Sequence, residues 1–190
     1  MRSVERAQEL GEVFTNEREV KAMLDLVPDM FTSLDSTFLE PACGHGNFLV
    51  EILSRKIELI TLEKFGEDPG WFEFCLLRAL ASIFAIDIDQ ENVEEARHRL
   101  FEMVEAAHAL YGEKPSAGFD KAAKAILETN ILLGDSLKQA TELLFVEYRP
   151  VEGHKFERQP FYLEEPEMDL FYDPPMPLET VHYLNLGSEK

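Results

Sequence analysis

The stretch from Phe38 to Leu53, FLEPACGHGNFLVEIL, constrains the fold of this chain more than any other part of the sequence. A short apolar run ends at Glu40, glycines follow at positions 44 and 46, and an amphipathic run begins after them. Glycine permits positive φ angles and a close approach of backbone to ligand, and the first N–H groups of a helix are unpaired. The stretch therefore predicts a strand, a tight turn and a helix, with Glu40 at the strand's carboxyl end, where open α/β sheets bind ligands. A tight turn without a ligand is the alternative interpretation.

The complete string also resembles motif I of the class I S-adenosylmethionine-dependent methyltransferases. The form D/E-P-A-C-G-x-G-x-F is typical of the amino-methylating DNA adenine methyltransferases of restriction-modification systems, and it is matched here by Glu40, Pro41, Ala42, Cys43, Gly44, Gly46 and Phe48. The resemblance implies an α/β fold with a Rossmann-like, doubly wound, mostly parallel sheet. It also implies that S-adenosylmethionine is bound by Glu40, Pro41 and Ala42 and by the turn from Cys43 to Phe48, which includes Asn47.

The residues before this turn resemble a second element of the same family. Asn16 and Glu19 have the spacing of a capping box and predict a helix that begins there. In the family, a Phe/Tyr-Thr-Pro element leads such a helix and folds over the methionine part of the cofactor. Phe14 and Thr15 match this element, whereas Asn16 stands in place of the proline. The resemblance implies that Phe14 and Thr15 bind the cofactor, although Thr15 taken alone is equally typical of a turn or a cap.

An apolar run from Ile83 to Ile88 predicts a second strand that is buried on both faces, and a helical pattern follows from Glu91 to Tyr111. A carboxylate at the end of such a strand can accept hydrogen bonds from both hydroxyls of a ribose. Asp89 is better placed to cap the helix. The segment resembles motif II, which implies that Asp87 binds the ribose and that Ile88 packs on the adenine ring. The alternative is that Asp87 is a surface carboxylate or a second cap.

The segment NILLGD, residues 130–135, predicts a third short strand after a helix from Asp120 to Glu128. It resembles motif III, which implies that Asp135 binds the adenine amino group, with Ser136 and Leu137 close by. A Gly-Asp turn with no ligand is the alternative. Three strands that are each followed by a helix predict successive crossovers of a doubly wound sheet, with the cofactor across their carboxyl ends.

The C-terminal region departs from the family pattern. Six of the ten prolines follow residue 149, which predicts an extended or irregular tail. Residues 143–149 and 155–163 have the composition of strands and predict an antiparallel ribbon or a cap on the sheet edge. The predicted domain organisation is a cofactor-binding core over residues 1–140, including the N-terminal helix, and an extension of the same domain over 141–190.

The target-base motif of the family, Asn/Asp-Pro-Pro-Tyr/Phe, has its nearest match in DLFYDPPM. Asp173, Pro174 and Pro175 fit, but Met176 replaces the aromatic residue that stacks on the base. The resemblance implies a catalytic role for Asp173, Pro174 and Pro175. A proline turn in a terminal extension is the alternative.

Composition limits the remaining classes of function. With 190 residues, of which 45% are hydrophobic, one domain is expected. The two cysteines, Cys43 and Cys75, and the five histidines show no disulfide or metal-ligand spacing, so we expect buried thiols and no metal. The absence of a long apolar run and a polar start predict a cytoplasmic protein that does not bind membranes.

Net charge bears on the partners of the chain. Its 18 basic and 37 acidic residues give −19, which opposes stable binding of duplex DNA because phosphates are gripped by cationic surfaces. The predicted function is an S-adenosylmethionine-dependent DNA adenine amino-methyltransferase, or its cofactor-binding portion, that reaches DNA only with a partner subunit. That partner is a second copy or a companion methyltransferase or specificity subunit. The alternatives are a catalytically inactive S-adenosylmethionine-binding subunit or regulator that needs a partner chain, and an acidic decoy of DNA-binding enzymes.

Overall fold

The computed structural model describes residues 15–60, 68–110, 114–165 and 175–188. Three predicted site residues, Phe14, Asp173 and Pro174, lie outside these ranges. The helices are α1 (Glu17–Leu24), α2 (Asn47–Leu59), α3 (Pro69–Ala81), α4 (Gln90–Leu110) and α5 (Phe119–Asn130), with 3-10 helices at Pro28–Phe31 and Tyr183–Asn185. The strands are β1 (Phe38–Glu40), β2 (Ile83–Asp87), β3 (Ile131–Leu133), β4 (Leu144–Val151), β5 (Lys155–Tyr162) and β6 (Leu178–His182).

The first three strands form a parallel sheet in the order β1-β2-β3. Every residue of β2 is buried, as the apolar run predicted for the central strand. Because the strands are parallel, their carboxyl ends lie at one edge, and the glycine turn, Asp87 and Gly134 follow them there. An α/β fold is therefore present. Within the described residues, the strand order does not reverse as a complete doubly wound sheet requires, because β1 pairs only with β2.

The two faces of this sheet are covered differently. Ile83 and Ala85 of β2 belong to the main core, to which all five helices contribute. Phe84 and Ile86 point the other way and pack with Leu143 and Phe145, near the start of the C-terminal sheet. The rings of Phe84 and Phe145 meet edge to face with centroids 5.6 Å apart. The antiparallel strands thus cover the face that the helices leave open.

The C-terminal strands form a separate antiparallel sheet in the order β4-β5-β6. The predicted pairing of two strands in this region is confirmed, since Leu144 to Val151 pair with Tyr162 to Lys155 without a break. The prediction of an extended or irregular tail is met by extended strands in this ribbon, and Pro150 and Pro160 lie inside β4 and β5. β6 pairs with β5 only from Lys155 to Arg158, so the ring of Pro160 removes no hydrogen bond to β6.

A buried polar cluster attaches the C-terminal segment to the helices. The hydroxyl of Tyr183, a residue 2% exposed, donates to Glu73 Oε2 of α3 over 2.7 Å. Glu73 Oε1 accepts from the backbone N–H of Ser116 at 2.7 Å and lies 3.0 Å from Nε2 of His108 on α4. The cluster joins α3, α4 and the last 3-10 helix, so these parts of the chain share one interior.

None of the helices in the described ranges is both long and apolar enough to cross a bilayer.

Candidate cofactor site at the carboxyl ends of the parallel strands

The glycine turn adopts the backbone conformation that its sequence predicted. Gly44 and Gly46 have φ angles of +53° and +88°, in the left-handed region that favours glycine. The N–H of Cys43 donates to the carbonyl oxygen of Ile86 over 2.9 Å, which attaches the turn to the central strand. A Cβ atom on Gly46 would lie 3.1 Å from the Cβ of Ala96 on α4. The second glycine is therefore needed for close packing of the turn against that helix.

Asp87 connects the end of β2 to the glycine turn. Its Oδ2 accepts from the N–H of Gly44 at 2.7 Å, and its Oδ1 accepts from the N–H of Asp89 at 2.9 Å and from Asn92 Nδ2 at 3.2 Å. The residue is 9% exposed. A carboxylate has about four acceptor positions, so three occupied positions leave one for a ligand. Asp89 accepts from the N–H of Glu91 and caps α4, as predicted.

Glu40 and Asp87 give the turn a negative environment. Burial raises the pKa of the half-buried Glu40, while a hydrogen bond from the N–H of Ala42, 3.2 Å long, acts in the opposite direction. Burial also raises the pKa of the Cys43 thiol to about 12, and the charges of Asp87 and Glu40 add to that effect. Cys43 is a buried free thiol, as predicted, and lies within the electrostatic influence of both carboxylates. Such a site favours a cationic ligand.

Asp135 lies after the end of β3 and caps its own turn. Gly134, its neighbour, donates its N–H to the carbonyl oxygen of Asp87 over 2.9 Å, so the turn begins beside β2. The carboxylate of Asp135 accepts from the N–H groups of Leu137 and Lys138 at 3.0 and 3.2 Å. The Lys138 side chain and these two N–H groups lower the pKa of Asp135. This geometry matches the alternative interpretation of a capped turn, and binding of adenine by Asp135 stays a prediction.

The apolar residues predicted near the adenine are exposed. The exposed fraction is 60% for Ile88, after β2, and 92% for Leu137, after β3. Ser136, between Asp135 and Leu137, is partly buried. Single exposed apolar side chains are common on protein surfaces, so the packing of Ile88 on an adenine ring stays a prediction.

The structure brings the start of α1 to the glycine turn. Asn47 Nδ2 donates to the carbonyl oxygen of Thr15 over 2.9 Å. The capping box of Asn16 and Glu19 is present as predicted and begins α1 at this point. The predicted site residue Thr15 therefore lies beside Asn47, although the two are far apart in sequence.

The other predicted site residues occupy the surroundings of the turn. Pro41 and Ala42 are exposed, and Phe48 is partly buried against the main core. Pro175 lies elsewhere, because its carbonyl oxygen accepts from Gln159 Nε2 of β5 over 3.1 Å, on the antiparallel sheet. The structure thus brings the described part of the predicted cofactor residues to one edge of the sheet, whereas Asp173 and Pro174 of the predicted catalytic motif lie outside the described residues.

Two residues that contact the site were missed by the sequence analysis. Asn92 and Arg99 are polar residues of α4 that contact Asp87 and the glycine turn. The sequence analysis considered only the apolar residues of this helix, and their pattern does not indicate which polar residues are buried. A signal was available in the spacing of Asn92 and Arg99 from Ala96, which places all three on one side of the helix.

Within the described residues, no group of histidine, cysteine or acidic side chains has the arrangement of a metal site. Comparisons with protein-family models, with curated proteins and with solved structures found no match for this chain.

Proposed function

We propose that this chain binds S-adenosylmethionine at the carboxyl ends of β1, β2 and β3, and that it is the cofactor-binding portion of a cytoplasmic DNA adenine amino-methyltransferase of the restriction-modification type. The observation that carries the proposal is the 2.7 Å hydrogen bond from Gly44 N–H to Asp87 Oδ2. It joins the two features that the resemblance assigns to the cofactor, the glycine turn and the ribose carboxylate. Both are contributed by neighbouring strands of a parallel sheet.

The residues present fit the parts of this cofactor. The free acceptor position of Asp87 suits a ribose hydroxyl, and exposed Ile88 suits an adenine face. The negative charges of Glu40 and Asp87 near the turn favour a cationic sulfonium and ammonium. When bound, the cofactor would supply an electrophilic methyl group, and the task of these side chains would be to bind and orient it for an in-line transfer.

Transfer to DNA places further demands on the protein. A flipped adenine needs hydrogen bonds to its amino group and an aromatic residue to stack on, and the backbone of DNA needs a cationic surface. The net charge of −19 opposes the second requirement. We therefore assign DNA binding to a complex with a partner subunit, in which this chain binds the cofactor.

The second candidate is a catalytically inactive S-adenosylmethionine-binding subunit or regulator that needs a partner chain for methylation. The open edge of β1 favours it. Among the described residues β1 pairs only with β2, and Leu39 in its centre is 50% exposed. A groove of about 370 Å³ lies beside this edge, lined by Phe38, Leu39, Phe84, Phe145 and Phe161 among others. Within the part of the chain that the structure describes, this edge is open to a further strand, which a partner chain could supply.

Calorimetric titration with S-adenosylmethionine and with its demethylated product tests cofactor binding. We expect the parent protein to bind and Asp87→Ala to bind about 10- to 100-fold more weakly, the loss expected for a charge-assisted hydrogen bond. Asp120→Ala is the control for loss of a negative charge away from the site, because Asp120 is an exposed carboxylate in the first turn of α5. Absence of binding by the parent, or equal binding by Asp87→Ala, would contradict the proposal.

Transfer of a labelled methyl group to mixed-sequence DNA separates the two candidates. The assay is run with the chain alone and then with the product of the neighbouring reading frame. Methylation by the two proteins together that Asp87→Ala abolishes supports the cofactor-binding portion, because the transferred methyl group then comes from this site. Methylation by the two proteins that Asp87→Ala leaves unchanged supports the inactive subunit. Cofactor binding with no transfer under either condition supports the inactive subunit.

A further inference from the structure

One side of α4 contacts three different parts of the candidate site. Asn92, Ala96 and Arg99 are four and three residues apart, so they lie on one side of the helix. Asn92 donates to Asp87, and Ala96 packs against Gly46. The third residue, Arg99, reaches the turn between the two glycines and the start of α2. We call these three residues the α4 stripe.

Arg99 contacts the turn through a single nitrogen atom. Its Nη1 donates to the carbonyl oxygen of His45 over 2.7 Å and to Asn47 Oδ1 over 3.0 Å, and it lies 2.8 Å from His45 Nδ1. The Nδ2 of the same Asn47 amide donates to the carbonyl oxygen of Thr15. A continuous chain of hydrogen bonds therefore runs from α4 through the turn to the start of α1.

This chain of hydrogen bonds joins two elements that the proposed function assigns to the cofactor site, the glycine turn and Thr15. The amide of Asn47 has one acceptor and one donor end, and each is held by a different element. When Arg99 fixes the acceptor end, the donor end must point to Thr15. Loss of Arg99 would remove the donor that fixes the acceptor end of the amide and would loosen both the turn around His45 and the contact with Thr15.

We propose that Arg99 is a positioning residue of the cofactor site, which holds His45 and Asn47 of the glycine turn and, through Asn47, the residue Thr15. The inference rests on the proposed function for its link to S-adenosylmethionine. The positioning itself is a property of the protein without ligand. In this inference Arg99 acts on cofactor binding through the shape of the turn and not through a contact of its own.

Arg97 provides a matched control on the same helix. It is also half-buried and also donates to backbone carbonyl oxygens, those of Ile131 and Glu128 near the end of α5. Arg97→Gln therefore removes a comparable set of hydrogen bonds without altering the turn. Arg99→Lys is the conservative variant, because all three contacts of Arg99 meet one nitrogen and an ammonium group carries three donors.

The test measures S-adenosylmethionine affinity by calorimetry and amide hydrogen exchange of residues 44–48 in the parent, Arg99→Gln, Arg99→Lys and Arg97→Gln. We expect Arg99→Gln to weaken binding at least tenfold and to accelerate exchange in the turn at least tenfold. Arg99→Lys should stay within threefold of the parent in both measurements, as should Arg97→Gln. If Arg99→Gln does not fold, Asn47→Ala replaces it and must show the same acceleration within the turn.

The outcomes separate this inference from the proposed function. No cofactor binding by the parent, together with accelerated exchange in Arg99→Gln alone, overturns the proposed function and retains the positioning role. Unchanged exchange and unchanged affinity in Arg99→Gln overturn the positioning role. Equal losses in Arg99→Gln and Arg97→Gln also overturn it, because the effect would then be a general loss of stability.

Discussion

Replacement of Gly46 by alanine tests the closest packing in the glycine turn. The residue has a φ angle of +88°, and the new Cβ would lie 3.1 Å from Ala96 Cβ and 3.3 Å from Ala96 Cα. Two costs follow. The left-handed conformation of a residue with a Cβ costs about 1–2 kcal/mol, and overpacking against a helix costs about 1–3 kcal/mol more. Gly46→Ala should therefore lower the free energy of unfolding by about 2–5 kcal/mol.

Gly153→Ala separates these two costs. Gly153 lies in the turn between β4 and β5 with a φ angle of +77°, and the nearest atom to a new Cβ is the flexible Lys155 Cε at 3.9 Å. Gly153→Ala therefore has the conformational cost but no packing cost. The difference in the free energy of unfolding between the two variants isolates the packing cost of about 1–3 kcal/mol. Both variants also share the effect of alanine on the unfolded chain, which cancels in the comparison.

Urea-induced unfolding followed by circular dichroism measures both variants. A further variant, Gly46→Ala with Ala96→Gly, removes the nearest atom, and the coupling energy of the pair should be about 0.5–3 kcal/mol in favour of the double variant. Equal losses for Gly46→Ala and Gly153→Ala, with no coupling to Ala96, would refute the conclusion that Gly46 is needed for packing.

Three further predictions concern buried groups. Burial lowers the pKa of Lys56 from 10.5 to about 8, although the ammonium donates to two backbone carbonyls. Between pH 8 and 10.5 the unfolded chain therefore binds more protons than the folded chain. The free energy of unfolding of the parent, relative to that of Lys56→Met, should then rise as the pH increases through this range. A difference between the two proteins that does not change with pH in denaturant titrations would contradict this. Tyr183→Phe removes a hydrogen-bond donor to the buried carboxylate of Glu73, so the free energy of unfolding measured in urea should fall by about 1.5–3 kcal/mol. An unchanged free energy of unfolding would contradict this. Because Cys43 is buried with a pKa near 12, iodoacetamide should alkylate it at least ~100-fold more slowly in the native than in the unfolded protein, as followed by mass spectrometry; comparable rates would count against the described packing.

Local patterns were sufficient to predict the elements that carry the site. The continuous apolar run predicted β2, the glycines predicted the positive φ angles of the turn, and the capping box predicted the start of α1. Each depends on residues close in sequence, where period, turn chemistry and capping act directly. The antiparallel pairing of β4 and β5 was also accessible, since both strands are rich in β-branched and aromatic residues around a short turn.

The parts that could not be predicted depend on contacts between distant residues. The partners of Glu73 lie on α4, in a loop and in the last 3-10 helix, and no spacing in the sequence connects them. The same holds for Arg99, whose partners lie more than fifty positions earlier in the chain. β6 was missed because the sequence before it is dominated by proline, whereas its pairing is decided by β5.

The Glu73–Tyr183 hydrogen bond has a consequence for the synthesis of the protein. It joins residues 110 positions apart, and at ~5–20 residues per second the ribosome would add Tyr183 roughly 5–20 s after Glu73. During that interval Glu73 of α3 lacks the Tyr183 hydroxyl as a hydrogen-bond donor, and the cavity that receives the ring is exposed to solvent. The interior between α3, α4 and the last 3-10 helix can therefore close only after Tyr183 has been synthesised.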